Sequence, residues 1–255
     1  MRGLIVLTAT ALVMSLGLAT PAQASGGAKL PDHDWSFDGM FGEFDDAAIQ
    51  RGFQVYQEVC AGCHGVKYLS FRNLTEIGLD IDAVKAIAAE YDIEDGPDDE
   101  GEMYDRPGLA SDRIPEPFPN DNAARASNNG ALPPDLSLMA KARKGGANYL
   151  YALMTGYDYE PDEMELAEGM SYNHYFPGNQ IAMPPPLFED GVEYADGTEA
   201  SVEQMAEDVT HFLMWAAEPN LEVRKRMGLK VMLFLLVLTA LLYASKRMVW
   251  ANVEH

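Results

Sequence analysis

VCAGCHG, residues 59–65, carries both cysteines of a 255-residue chain, three positions apart, with a histidine directly behind the second. Three chemistries use a C-x-x-C core. A structural zinc site needs about four Cys/His ligands, usually as a second pair, but the other histidines, His33, His174, His211 and His255, are scattered singly. A thioredoxin-like redox pair follows a strand in a βαβ unit, whereas the approach here, DDAAIQRGFQVYQEVC, reads as an amphipathic helix with Ala48, Phe53, Val55, Tyr56 and Val59 apolar. C-x-x-C-H is also the attachment signature of c-type haem. The two sulfurs form thioethers, and the adjacent histidine is carried under the ring to ligate iron. Cys60, Cys63 and His64 are read in that way, as the site of one covalent haem c.

Such attachment belongs to an oxidising, extracytoplasmic compartment, and the N-terminus agrees. Met1-Arg2 is a short positive region, residues 4–19 are apolar and uncharged, and Ala22-Gln23-Ala24 is a small-residue cleavage site before Ser25. Residues 1–24 are expected to be a removed signal peptide. The formal net charge is −22, but it is unevenly distributed. Residues 25–223 hold 39 acids against 11 bases, a net of about −28, while six of the remaining bases and Glu254 lie from Arg224 onward. A domain of that size can bury a sizeable core. Its sign excludes nucleic acid as a partner and favours a basic protein.

MGLKVMLFLLVLTALLYAS, residues 227–245, has one charge, Lys230. At about 1.5 Å per residue it spans on the order of 28 Å, close to the hydrocarbon thickness of a bilayer. It is expected to be a single transmembrane helix, with Lys230 snorkelling to one interface and Tyr243 and Trp250 suiting the other. Export of the acidic domain (residues 25–223) makes this helix a stop-transfer anchor and leaves residues 246–255 as a cytoplasmic tail. The basic run 224–226 before the helix then faces either anionic headgroups or an acidic partner surface, and the sequence does not choose between them.

The exported domain reads as mainly α with long loops. Asp45 or Asp46 can cap the helix leading to Cys60, and helices are expected over residues 80–91, 135–143, 145–157 and 201–219, the last opened by Ser-x-Glu and closed by Pro219. Residues 91–108 read as an acidic loop, and a short hairpin is expected around EDGVEYADGT, residues 189–198.

A haem that only carries electrons needs a sixth ligand, and a methionine thioether favours a high potential. Most of the 14 methionines, such as Met139, Met154, Met205 and Met214, lie at helical spacings where core packing is the plainer reading. Met183 lies instead in PGNQIAMPPPLF, residues 177–188, where three prolines stiffen a loop. The pattern makes it a candidate without deciding against the others.

Five stretches, VCAGCHGVKYLSFRNL (59–74), NNGALPPDLS (128–137), ARKGGANYLYALMTGY (142–157), NHYFPGNQIAMPPPL (173–187) and WAAEPNLEVRKRMGLK (215–230), resemble in order the cytochrome c1 family, the haem c subunits of ubiquinol:cytochrome c oxidoreductase (the cytochrome bc1 complex). The resemblance covers nearly all of the chain after residue 24. It implies a class I cytochrome c-like haem domain on one C-terminal anchor, with covalent haem at Cys60 and Cys63 and axial ligands His64 and Met183. It also implies that Arg143 contacts a haem propionate with Tyr149 nearby, and that Pro133 and Pro134 help wall the pocket. A propionate in so acidic a domain needs a fixed cation in any case. The alternative for Arg143 is a solvated member of the Lys141, Arg143, Lys144 cluster.

The function implied is transfer of one electron from a Rieske iron–sulfur protein to a basic cytochrome c, within a dimeric complex containing cytochrome b in a bacterial inner membrane, the haem domain facing the periplasm. No substrate bond is made or broken by the chain itself. Two other readings are another tethered monohaem cytochrome serving an oxidase or photosynthetic reaction centre, and a haem enzyme or gas sensor with an open iron site.

Overall fold

The computed structural model describes residues 28–252. The expected signal peptide and its cleavage site before Ser25 lie outside the described residues, as do residues 253–255 of the expected tail.

The helix that delivers the C-x-x-C-H motif is α1, Asp46–Val55. Asp45 caps it, its carboxylate accepting from Ala47 N at 3.0 Å and Ala48 N at 3.1 Å. Ala48, Ile49, Gly52, Phe53 and Val55 form its buried stripe. That stripe packs on α6, Val202–Ala217, which is capped by Ser201 and buries Met205, Ala206, Val209, Phe212, Leu213, Trp215 and Ala216. Gly52 marks where the two backbones cross: a Cβ there would lie 1.9 Å from Asp208 O. Each fully buried Phe or Met side chain in this interface contributes about 1.5–3 kcal/mol. The interface also contains a bidentate ion pair, Arg51 Nε to Asp208 Oδ2 at 3.0 Å and Nη2 to Oδ1 at 2.9 Å.

Between α1 and α6 the chain forms α2 (Ile81–Ala89), α3 (Asp121–Ser127), α4 (Met139–Ala142) and α5 (Gly146–Thr155), with a 3-10 helix at Phe71–Ile77. A second, smaller cluster joins Trp35 and Phe37 of the N-terminal segment to Ala147 of α5 and Leu221. The expected helix over residues 135–143 is thus reduced to α4. Asp135, Leu136 and Ser137 are held instead by bonds to residues 65–68, described below, which are incompatible with a helical turn at that point.

Two expectations about strands are corrected. The acidic stretch 91–108 is a hairpin, β1 (Asp92–Asp95) antiparallel to β2 (Tyr104–Pro107), with Asp92 opposite Pro107 and Asp95 opposite Tyr104. Its acids hide the signal, because the pairing is reinforced by Arg106, which donates to both Asp95 Oδ2 (2.5 Å) and Asp112 Oδ2 (2.6 Å). Residues 189–198 form no hairpin: Val192 and Tyr194 point into the core, and the Glu193 carbonyl accepts from the Gln54 side chain at 3.0 Å. The segment is a loop laid across α1, its Asp-Gly pairs serving turns. The other strand pair is β3 (Ser171–Tyr172) against β4 (Gln180–Ile181).

The expected membrane helix is longer than residues 227–245. It is α7, Leu221–Val249, 29 residues, about 43 Å at 1.5 Å per residue, and it is long and apolar enough to cross a membrane. The basic run falls within its first turns and is bound inside the chain. Arg224 and Lys141 both donate to Glu218, Lys225 Nζ donates to Phe37 O and Gly42 O, and Arg226 Nη2 donates to Glu222 Oε2 at 2.5 Å. Burial draws the Glu218 carboxyl upward, but the bonds from Arg224 and Lys141 outweigh it and hold it below the ordinary range.

Candidate functional site

At Tyr56 the α1 backbone widens into a π turn, Tyr56–Cys60, closed by Ala61 N donating to Tyr56 O at 2.8 Å. Such turns recur at functional sites because the extra residue re-aims the side chains that follow. Cys63 N and His64 N then both donate to Cys60 O, at 3.1 and 2.9 Å. The two thiols and the imidazole are therefore set by one compact turn at the end of a core helix. The two sulfurs form no disulfide. Burial pushes the Cys60 thiol up to about 12, the opposite of the lowered value that activates a redox thiolate.

His64 is oriented from a distant part of the chain. Its Nδ1 lies 2.7 Å from the Pro134 carbonyl. A carbonyl can only accept, so the proton is on Nδ1 and Nε2 keeps its lone pair for a metal. Burial lowers the basicity of the ring, against opposing contributions from that carbonyl and Asp135, and keeps the imidazole neutral. The carbonyl is in turn held by a local lattice. Asp135 accepts from Lys67 N at 2.9 Å and Ser137 N at 3.1 Å, Ser137 Oγ accepts from Tyr68 N at 3.1 Å, and Leu136 N donates to Gly65 O at 2.8 Å. Tyr56 OH adds a bond to His64 O at 3.0 Å. Pro134, expected as a pocket wall, is exposed and contributes its carbonyl, which fixes the tautomer, while Pro133 beside it is half-buried.

Met183 follows β4 by two residues and is half-buried, with Ile181 and Leu187 anchoring its loop in the core. Asn173, fully buried, organises the approach: its Nδ2 donates to Leu153 O at 2.8 Å and its Oδ1 accepts from Tyr175 N and Phe176 N at 3.0 and 3.1 Å. Tyr157 OH donates to Met183 O at 3.1 Å, tying this loop to the residues just after α5. Burial, then the neighbouring Tyr149, raises the Tyr157 hydroxyl above its ordinary value and keeps it a donor. Tyr149 is itself raised by burial and eased downward by the charge of Arg143. Tyr157 is thus bonded to the Met183 backbone, and Arg143 is exposed at the end of α4.

Haem c asks for two free thiols in a C-x-x-C-H turn, a neutral imidazole presenting one bare nitrogen, and largely apolar surroundings. The residues present fit it. The sequence reading missed Tyr56, Asp135 and Tyr157. Tyr56 and Tyr157 carried a signal, since a buried phenol seeks a hydrogen-bond partner, but nothing local names that partner.

A model of the cytochrome c1 family matches residues 35–253. The chain is 50% identical to cytochrome c1 of Rhodospirillum rubrum over 98% of its length and 97% of that protein. It is 48% identical to the mitochondrial cytochrome c1, heme protein, of Schizosaccharomyces pombe, over 94% of this chain and 78% of the relative. It is also 46% identical to the cytochrome b/c1 protein of Bradyrhizobium diazoefficiens, covering 93% of this chain and 38% of that longer one.

Proposed function

The chain belongs to the cytochrome c1 family, and on that premise we propose that it is the membrane-anchored haem c subunit of a bacterial cytochrome bc1 complex, taking one electron from a Rieske iron–sulfur protein and passing it to a basic cytochrome c. The cofactor is one covalent haem c. The observation that carries the reading is His64, whose Nδ1 is engaged by the Pro134 carbonyl so that Nε2 is left for iron. When bound, haem supplies a ferric–ferrous couple that holds or releases a single electron.

The remaining work belongs to the chain. Cys60 and Cys63 hold the group covalently. His64 would supply its Nε2 to the iron, and the lattice of residues 65–68 and 134–137 keeps its ring from rotating. Met183, in a loop stiffened by Pro184, Pro185 and Pro186 and tied down by Tyr157, would supply a thioether to the iron. With both residues on the iron, small ligands would be kept off it and the group would supply electron transfer alone. Arg143 supplies a cation for a propionate, with Tyr149 beside it. The acidic domain faces the periplasm, α7 anchors it beside cytochrome b in a dimeric complex, and the C-terminal tail is cytoplasmic.

The test is to isolate the anchored chain from membranes in mild detergent. Copurification with cytochrome b and a Rieske protein, and reduction of the haem only when the Rieske protein is present, are expected. A haem chain that copurifies with an oxidase or a reaction centre instead would assign it to a different electron-transfer system. Immediate carbon monoxide binding by the ferrous protein would mark an open iron site.

A further inference from the structure

We propose that the loop tip Met40-Phe41 is a second membrane contact, seated at the headgroup–acyl boundary of the bilayer that α7 crosses. The inference rests on the reading of α7 as a membrane anchor. The tip is a built feature. Asp38 N donates to Trp35 O and Glu43 N to Ser36 O, both at 3.0 Å, which closes the loop on itself. Lys225 Nζ donates to Phe37 O at 2.5 Å and Gly42 O at 3.1 Å, clamping both sides of the tip to the first turns of α7, and Phe44 N donates to Glu222 Oε1 at 3.0 Å. Gly39 has a φ of +69°, and a Cβ on Gly42 would lie 1.9 Å from Asp38 O, so the tight turn needs both glycines.

This rigid tip points its two apolar side chains away from the core: Met40 is 64% and Phe41 78% exposed. Its height is set by its neighbours. Met40 and Phe41 share a groove of about 130 Å³ with Glu222, Lys225, Arg226 and Leu229. Leu229 lies two residues inside the apolar run that begins at Met227, about 3 Å along the axis. The tip therefore sits level with the start of the hydrocarbon, beside Lys225 and Arg226. An aromatic and a thioether beside cations at that depth have the composition of an interfacial anchor, which buries its apolar face about 5–10 Å into the boundary region. Asp38 and Glu43 bracket the tip and hold it at that boundary.

The test uses the haem-loaded full chain, purified from membranes with the partners it retains and reconstituted into phosphatidylcholine–phosphatidylglycerol vesicles. With Cys60 and Cys63 in thioether linkage, Phe41→Cys introduces the one reactive thiol of this chain, which takes a nitroxide label, and the signal of the identically treated parent preparation is subtracted. Labels at Leu236→Cys and Tyr159→Cys provide the lipid and water references. The expected result is that the label at 41 collides more with oxygen than with a water-soluble nickel complex, as at 236 and opposite to 159. A label at 41 as open to nickel as at 159 overturns the inference, and one shielded from both reagents overturns it in favour of a protein partner. If the label at 236 is itself aqueous, the anchor reading of α7 fails, and the inference with it.

Discussion

Replacing Arg51 by Leu isolates a buried charge at the α1–α6 crossing. Asp208 is 0% exposed in its side chain and Arg51 18%; besides the two bonds from Arg51, the carboxylate receives one from Gln204 Nε2 at 3.2 Å. Removing one partner of such a pair costs about 3–5 kcal/mol, because the other charge stays out of water without compensation. For a domain of this size each kcal/mol moves the melting midpoint by about 2–4 °C, so Arg51→Leu should lower it by about 6–20 °C. The double variant Arg51→Leu/Asp208→Leu removes the stranded charge as well and should regain most of the loss. The assay is thermal unfolding of the haem-loaded protein in detergent, followed by far-ultraviolet circular dichroism and by the haem absorption band. A midpoint for Arg51→Leu within about 2 °C of the parent, or a double variant no better than the single one, would refute the argument that the pair matters through desolvation.

Met183→Leu should lower the haem potential and admit carbon monoxide to the ferrous protein, both read from optical titrations; an unchanged potential and spectrum would assign the ligand to another methionine. Neutralising Glu94, Asp99, Glu100 and Glu102 while keeping Asp95, which pairs with Arg106, and Asp98, whose carboxylate holds the turn by accepting from Glu100 N and Glu102 N, should slow electron transfer to a basic cytochrome c. It should also flatten the salt dependence of that rate, since exposed charges are screened over about 8 Å at physiological ionic strength; an unchanged salt slope in stopped-flow measurements would move the steering elsewhere on the domain. Arg106 holds the Asp95 and Asp112 carboxyls below their ordinary 3.8, so the hairpin's ion pairs are fully formed above that value and are lost as pH falls through the depressed ones. Protection of the amides at residues 92–107 against hydrogen exchange, normalised to the intrinsic rate at each pH, should therefore fall on acidification in the parent and show a smaller step in Arg106→Gln, where Asp98 still accepts from Glu100 N and Glu102 N.

The candidate residues of the C-x-x-C-H turn and the apolar helix were legible because their signals are local. Two cysteines and a histidine within five positions admit few uses, an apolar run of bilayer length with a single charge admits fewer, and Asp45, Asp80 and Ser201 cap their helices through bonds that reach only two or three residues along the chain. The helices over residues 80–91, 145–157 and 201–219 were found by the same short-range logic, with ends shifted by a few residues. The five stretches that carried the family resemblance are contiguous for the same reason.

What failed in the sequence reading depended on partners far along the chain. The helix expected over residues 135–143 is shortened because Asp135, Leu136 and Ser137 bond to residues 65–68, and the hairpin expected at 189–198 is replaced by a loop whose carbonyl is claimed by Gln54, 139 residues away. The hairpin at 91–108 was hidden among acids because its reinforcement comes from Arg106 with Asp95 and Asp112, whose bridging geometry has no periodic signature. The basic run 224–226 was left without an assignment, and the fold supplies one: Glu218 binds Arg224, and the carbonyls of Phe37 and Gly42 bind Lys225, joining domain and anchor, while Arg226 pairs with Glu222 within α7. Composition and spacing determine which residues can bind a haem and which can cross a membrane. Only the tertiary structure decides which nitrogen of His64 is free, because the carbonyl that claims the other one lies 70 residues away in sequence and 2.7 Å away in space.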